Sequence, residues 1–574
     1  MKNLEIAKIL YEIADILEVQ GVAFKPRAYR RAARSVEELT EDIAKVAERG
    51  ELQNIPGVGE AISGKIGEIL KTGRLKYFED LKKGMPFDME GMVAIEGLGA
   101  KKAYRLYKEL GIKSVDELET AAKAGRIRAL GGFGETSEKK ILLGIEAVKR
   151  SGKRMLLWNA LVISGGILGR LRAVPGVERV EPVGSLRRRK ETVGDLDILA
   201  IAKDGKAAMD AFTTMPGVLR TIEKGETKAS VELEEGIRVD LRVVGKESFG
   251  SAMQYFIGSK YHNIATRTIA VKKGLKLSEW GLFRGKRRIA GADEEGIYKA
   301  LGLRYVEPEM RENAGEVEAA MAGKLPRLVT LGDIKGDLHV HTKWSEGNNT
   351  IEEMAGKGRS LGYEYMIISD HAGMTLSVAN PMDEKRLAKQ GNEIDGLNRT
   401  HDTGHGTLPY LLKGAEINIK KDGGVDVADK ALADLDVVIA SIHYSMRQPK
   451  DKIMERLFSA MENEHVDIIA HPTGRVLNER EPYELDFDAM LDKAKETGTM
   501  LEINSQPDRL DLNGESARKA KERGVTLTIS TDAHRADQMD YMPLGIAMAR
   551  RGWCERKDIL NTMGLKELRK RFDI

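Results

Sequence analysis

The sequence predicts a multidomain α/β chain. Residues 1–150 read as helical, residues 151–325 as mixed α/β, and the stretch from Asp337 to the end as a β/α barrel. Three observations carry this. Apolar residues recur at helical spacing from the start (Leu4, Ala7, Ile9, Leu10, Ile13, Ile16, Leu17). The central stretches ERVEPVG, GDLDILAIAK, SVELEEG and IRVDLRVV are strand-like. From Asp337 a strand-like run is followed by a helix-like run many times over. The 574 residues allow about four domains at roughly 150 residues each.

Composition narrows the function classes. A single Cys, Cys554, excludes an internal disulfide framework and suits a reducing compartment. No apolar run approaches the length of a membrane span. The N-terminus is amphipathic and carries acids throughout, so it reads as a first helix and not as a targeting peptide. The formal charge is only +3, but residues 1–300 hold 54 basic and 42 acidic side chains, whereas residues 301–574 hold 38 and 47. The basic part is the candidate for a polyanion.

The helical region contains an internal repeat. Ile55-Pro56-Gly57-Val58-Gly59, Ile95-Glu96-Gly97-Leu98-Gly99 and Leu130-Gly131-Gly132-Phe133-Gly134 each place G-x-G before an amphipathic helix. The glycines permit a tight turn and a close backbone approach. The helix start directs N–H groups outward, where a phosphate can accept them. Lys101, Lys102, Lys139 and Lys140 follow two of the copies. The pattern resembles the helix-hairpin-helix element, which implies DNA backbone binding through Gly57, Gly59, Gly97, Gly99, Gly132 and Gly134.

In the middle region Asp195 and Asp197 stand two apart on an expected strand, so both carboxylates share a face. Arg238, Asp240 and Arg242 share a face of a second one. If the strands are neighbours, three carboxylates converge and repel unless a cation sits among them. Mg²⁺ with phosphate oxygens answers that need. A solvated hairpin is the bland alternative for D-x-D alone. Gly184-Ser185 followed by Arg187, Arg188 and Arg189 adds donors suited to a triphosphate.

The spacing G-S…G-D-x-D resembles the nucleotidyltransferase signature, and with the repeats residues 1–320 resemble a family X DNA polymerase. The likeness continues at YFIGSKYHN (255–263), at Arg267 and at LRYVEPEMR (303–311). It implies a mixed-sheet palm with a thumb, with Asp195, Asp197 and Asp240 as catalytic metal ligands. Ser185 and Arg188 would bind the triphosphate, with Gly184 and Gly194 also in the nucleotide-binding site. Tyr255 and Phe256 would lie by the sugar, Gly258 would also belong to the nucleotide-binding site, and Asn263 would contact the nascent pair. Arg238 and Arg267 would face DNA. Residues 1–85 resemble that family's deoxyribose-phosphate lyase domain, with Lys65 at the Schiff-base position and Lys25, Tyr29 and Arg30 in its pocket. Ala61 stands where that pattern has a phosphate-binding lysine. Lys65 is otherwise a DNA-facing or solvated lysine.

Nine of the ten histidines follow residue 336. Seven strand-like runs end in or near a potential ligand: DLHVH, MIISDH, LLKGAE, VVIASIH, VDIIAH, MLEIN and VTLTISTDAH. In a β/α barrel that end of the strands forms the active site. Imidazole with carboxylate suits Zn²⁺, Mn²⁺ or Fe²⁺. His401, His405 and His465 fall outside the pattern and read as surface or loop residues. The motifs resemble the polymerase and histidinol phosphatase (PHP) domain. That implies a distorted seven-stranded barrel with a trinuclear, phosphoester-hydrolysing centre. Its ligands would be His339, His341, Glu346, His371, Glu416, His443, His471, Asp532 and His534. Glu346 stands where Asp is usual.

The resulting expectation divides the chain into a lyase-like helix-hairpin-helix domain (1–85) and a second helix-hairpin-helix region (86–150). A nucleotidyltransferase palm (151–252) and a nucleotide- and template-contacting subdomain (253–325) follow. A linker (326–336) leads to the PHP domain (337–574). The chain is expected to fill short gaps in DNA repair and to trim 3′ ends, or cleave abasic sites, as a 3′–5′ exonuclease. Alternatives are a PHP phosphoesterase with a polymerase half serving only as a clamp, and a small-molecule phosphatase. Expected cofactors are Mg²⁺ or Mn²⁺ in the palm and up to three Mn²⁺, Zn²⁺ or Fe²⁺ ions in the barrel. Expected partners are gapped or primed duplex DNA and dNTPs, with no membrane. A monomer in the cytoplasm, associated with the nucleoid, completes the expectation.

Overall fold

The computed structural model describes all residues except 1–2, 38, 40–42, 84, 86, 94, 96–97, 152–153, 374–379 and 401–407. The chain forms two compact units. One comprises Met1–Arg154, Leu233–Ile237 and Lys260–Ile269, and the other Met155–Glu232, Arg238–Ser259 and Ala270–Ile574.

The first unit has two helical cores. Helices Asn3–Val19, Lys25–Glu37 and Glu60–Thr72 bury Leu10, Ile13, Ala32 and Ile66 in one. Helices Ala100–Leu110, Val115–Lys123 and Glu135–Ser151 bury Leu106, Leu118 and Ile145 in the other, with Phe133 of the turn before the last helix. The three repeats share one turn. Val58 N–H donates to the Ile55 carbonyl, Leu98 to Ile95 and Phe133 to Leu130, each at 2.9 Å. Gly57 and Gly132 take φ of 86° and 85°, a region that side chains disfavour. A Cβ at Gly57 would also come within 2.8 Å of Arg31. Gly59 and Gly99 are extended residues capping the following helices. Gly134 accepts the first N–H groups of the third helix. Gly97 lies outside the described residues.

Sequence reasoning missed a brace on the third turn. The buried Glu138 carboxylate accepts N–H groups of Ile127 at 3.1 Å and Arg128 at 2.9 Å and pairs with the Arg128 guanidinium at 2.7 Å.

The second unit contains a five-stranded palm sheet, apart from Leu233, in the order Val177–Pro182, Asp195–Ala202, Arg238–Val243, Lys228–Leu233, Val218–Lys224. The second and third of these run parallel, the first pairs antiparallel with the second, and the fourth pairs antiparallel with the third. The strand Val218–Lys224 was not anticipated. It is largely exposed and lacks the apolar alternation that marks a half-buried strand. Behind the sheet, Phe249, Ala252, Met253 and Ile257 of one helix pack on Leu199.

The same unit contains the expected distorted barrel. Seven parallel strands follow chain order: Gly336–Val340, Tyr365–Ile368, Tyr410–Asn418, Val437–Ser441, Ile468–Ile469, Met500–Asn504 and Leu527–Ser530. Residues His371–Ala372 add a short strand beside Tyr410–Asn418. A parallel bridge from Val340 to Ala533 nearly closes the ring. Asp337 spans this seam, accepting from the Thr531 N–H at 3.0 Å and from its hydroxyl. Leu338, Ile367, Leu412, Ile439 and Ile468 fill the barrel core. Residues 326–336, expected as a linker, are bound to the C-terminal segment: Val329 N–H donates to Cys554 and Lys335 N–H to Asn561.

Replacing Glu138 by Ala strands two N–H groups and should lower the stability of the first unit by about 2 kcal/mol. Denaturant unfolding of the full chain tests this. An unchanged first transition would show that water replaces the carboxylate.

Candidate active sites

The palm carboxylates are brought together by strand register. Asp197 lies opposite Asp240, and Asp195 opposite Arg238. Gly184 (φ 64°) opens the adjoining turn, where a Cβ would come 2.6 Å from Asp197 Oδ2. Only a glycine lets that turn approach the acid so closely. Burial, and then the charges of Asp195 and Asp240, push the Asp197 carboxyl up to about 7. Arg238 grips Asp240 with two hydrogen bonds of 2.9 Å, Nε to Oδ1 and Nη2 to Oδ2. This clamp was not foreseen, although the shared face of the two residues was.

Ser185 lies in the short helical turn Gly184–Arg187, and Gly194 directly precedes the Asp195 strand. Arg188 is turned toward Glu312, donating from Nε at 3.1 Å, and its Nη1 donates to the Ile257 carbonyl. Tyr255 and Phe256 meet edge to face at 5.1 Å, with the Arg242 guanidinium 4.7 Å from the Phe256 ring centroid. Gly258 ends their helix at φ 73°. Asn263 and Arg267 belong to the first unit, where Arg267 Nε donates to the Asn263 carbonyl at 3.1 Å.

In that unit Lys65 Nζ lies 4.8 Å from the Tyr77 ring centroid and donates to the Ala61 carbonyl. Tyr29 is buried, and burial pushes its phenol up to about 12. Lys25 is exposed at the start of its helix. Arg30 is held by Asp15 and Glu18, each at 2.5 Å.

At the C-terminal ends of the barrel strands all nine expected residues form one connected cluster. Glu416 is its hub. Its Oε2 lies 3.3 Å from His339 Nε2, 3.5 Å from His341 Nε2 and 3.2 Å from His371 Nδ1. Its Oε1 lies 3.2 Å from His443 Nε2 and 3.0 Å from His471 Nε2. Asp532 lies 3.1 Å from His341 Nε2. Glu346 bridges His371 and His534 at 3.1 and 3.0 Å. Three groups of three or four of these side chains converge tightly enough to hold an ion each.

The cluster fits divalent cations on two grounds. The Nδ1 atoms of His341 and His471 are buried without hydrogen-bond partners. His339 and His341 also face each other Nε2 to Nε2 at 3.1 Å, a contact for at most one proton or a shared ion. Burial, with the charge of His534, drives His341 down to about 3, in its neutral, ligating form. Burial would also lower His339, but Glu416, Asp532 and Glu502 outweigh it and hold that imidazole well above its usual value.

Supporting residues are only partly legible in the sequence. Glu502, noted at a strand end, accepts from His339 Nδ1 at 2.8 Å and from His471 N–H at 2.7 Å, an arrangement that fixes a ligand's tautomer. Asp370 was missed as a brace. It accepts from the main-chain and hydroxyl groups of both Thr342 and Ser345 and from Gln390, which orders the turn carrying Glu346. Its signal was its place beside His371. His465 lies outside the cluster, and His401 and His405 fall outside the described residues.

Comparison with known proteins agrees with this architecture. Residues 1–75 match a helix-hairpin-helix domain, 89–147 a SAM-like helix-hairpin-helix tandem, 252–312 the DNA polymerase beta thumb, and 337–506 the PHP domain. The matched domains are those of a nucleotidyltransferase joined to a metal-dependent phosphoesterase. The chain belongs to the family X DNA polymerases that carry a C-terminal PHP domain. It is 38% identical to DNA polymerase/3′-5′ exonuclease PolX of Bacillus subtilis (strain 168), over 99% of both chains. It is 26% identical to DNA polymerase lambda of Rattus norvegicus, over 54% of this chain and 56% of that protein. A "Probable phosphatase" of Thermoanaerobacter sp. (strain X514) is 31% identical over 34% of this chain and 78% of its own. Both families are metal-dependent. Among the described residues no helix is long and apolar enough to cross a membrane.

The raised Asp197 carboxyl sets a pH dependence. Between about pH 4, where an unfolded aspartate ionises, and about 7, the folded chain keeps a proton that the unfolded chain releases. The contribution is present in full below that window and is lost as pH rises through it. In a chelator, the fall in wild-type stability across the window should be shallower in Asp197→Asn. Parallel unfolding curves for the two proteins would disprove the assignment.

Proposed function

We propose that this chain is a DNA-directed DNA polymerase that fills short gaps in DNA repair and trims 3′ ends through its PHP half. The observation that supports this best is the presence of two separate acid clusters in one compact unit: the register-paired Asp197 and Asp240, and the histidine-rich barrel mouth around Glu416. The barrel would act as a 3′–5′ exonuclease and would also process damaged 3′ ends or abasic sites. Sequence-independent grip on DNA would come from the glycine turns of the helical unit, so binding should weaken with salt.

In the palm, Asp195, Asp197 and Asp240 would hold Mg²⁺ or Mn²⁺. In the barrel, the nine ligands from His339 to His534 would hold up to three Mn²⁺, Zn²⁺ or Fe²⁺ ions. When bound, such ions supply Lewis acidity and offset charge at phosphorus. Arg238 orients Asp240, while Ser185 and Arg188 hold the triphosphate. Tyr255 and Phe256 present an aromatic wall to the sugar. Asn263, Arg267 and Lys25 contact DNA, and dNTPs are the substrates of a monomeric enzyme. Lys65 attacks an abasic aldehyde through its amine. Borohydride should then trap an adduct on wild type and none on Lys65→Ala, and an untrappable wild type would remove the lyase step.

A second reading treats the polymerase half as a DNA clamp for the nuclease. It is favoured by the two Arg238 bonds that occupy both Asp240 oxygens. Primer extension and degradation on gapped DNA, with Mg²⁺ and with Mn²⁺, decide between the readings. Asp240→Ala should lose incorporation by at least about 100-fold and keep its nuclease, and His443→Ala should do the reverse. Incorporation that survives in Asp240→Ala excludes the palm assignment. A wild type that degrades but never extends primers favours the clamp. A preference for free phosphomonoesters over DNA ends would point instead to a small-molecule phosphatase.

A further inference from the structure

The loop between the triphosphate turn and the catalytic strand is held from outside the palm. Arg551, at the end of the barrel helix Met542–Arg551, donates from Nη1 to the Arg188 carbonyl at 2.7 Å and to Glu312 Oε1 at 3.2 Å. The same Glu312 oxygen lies 3.1 Å from Arg188 Nε and 3.5 Å from Lys190 Nζ. The other end of the loop is tied by Arg475 of the barrel, which binds Glu191 at 2.9 Å while donating to the carbonyls of Arg509 and Leu510. The side chains of Arg188 and Arg551 are each only 13% exposed, so these contacts are not solvent-screened surface pairs.

One carboxylate therefore serves three cations, leaving two positive charges without a partner within this group. Burial would raise the Glu312 carboxyl, but Arg551, Arg188 and Lys190 outweigh it and hold the group below its usual range. An anion arriving at Arg188 competes with Glu312 for that guanidinium. When Arg188 leaves, Arg551 and Lys190 still neutralise Glu312, so no carboxylate is stranded. Without Arg551, Glu312 relies on Arg188 more heavily, and the Arg188 carbonyl loses its side-chain donor.

We propose that Arg551 of the PHP half is a positioning residue of the polymerase site, fixing the Arg188 main chain and sharing Glu312 so that Arg188 can pass to a triphosphate. This rests on the reading of Arg188 as a triphosphate ligand. Among the described residues the hydrogen bonds and ion pair of Arg551 reach Arg188 and Glu312 and no barrel ligand, so the two activities separate its role from a general loss of structure.

The test is steady-state filling of a one-nucleotide gap by the full chain, with 3′-end degradation measured on the same preparations. Arg551→Ala should raise the KM for dNTP about tenfold, the loss of one charge-assisted contact. Its kcat should change less, and its degradation rate should stay within about twofold of wild type. Arg551→Lys should recover part of the KM, since it restores the charge but not the two-point contact. An unchanged KM in Arg551→Ala, alongside a raised KM in Arg188→Ala, overturns the proposal alone. An unchanged KM in Arg188→Ala overturns the triphosphate reading beneath it. Polymerase and nuclease rates falling together in Arg551→Ala, with a lowered unfolding temperature, would mark a merely structural role and also overturn the proposal.

Discussion

The barrel mouth depends on a single carboxylate held among five imidazoles. Glu416 is almost wholly buried, and removing an ionised carboxylate from water is costly unless cations or donors surround it. The imidazoles supply them, each delivered by a strand or the residues just beyond its end. That delivery requires the ring of strands to be nearly closed, which explains the clasp of Asp337 on Thr531 across the seam. It also requires the turn carrying Glu346 to be rigid, which is the work of Asp370. Buried Thr531 serves the first of these ends, and buried Thr342, Ser345 and Gln390 serve the second.

The palm solves the same electrostatic problem differently. There, three acids approach one another on two adjacent strands, and the structure tempers the repulsion with an arginine fork on Asp240 and a raised Asp197. The barrel relies on imidazole, whose charge responds to its surroundings, whereas the palm relies on guanidinium, which stays charged. The palm acids are therefore partly engaged already, and the barrel residues form a concentrated set of donors. The two sites differ accordingly in how an incoming cation must compete.

Much of this was legible from the amino acids because it is periodic or local. The alternation in IRVDLRVV placed Arg238 and Asp240 on one face, and the register of two parallel strands then set Asp197 against Asp240. The G-x-G copies reported their own turns, since a φ near +85° leaves few residues to choose from. The seven strand-end motifs displayed the barrel ligands in sequence order. What stayed hidden depends on partners far apart in the chain. Nothing local to Glu138 reveals the N–H groups of Ile127 and Arg128, and nothing near Asp337 points to Thr531. The edge strand Val218–Lys224 was missed because its exposed face is charged and its apolar content slight. Glu312, Arg188 and Arg551 span most of the second unit's length, and no spacing rule links them.

The segment 326–336 looked like a tether and is instead pinned along its length to the chain's C-terminal end, through Cys554 and Asn561. Because these bonds join main-chain groups, the path of the segment is set by the barrel's own C-terminal end and not by the identity of its side chains. The strand Gly336–Val340 therefore starts from an anchored point.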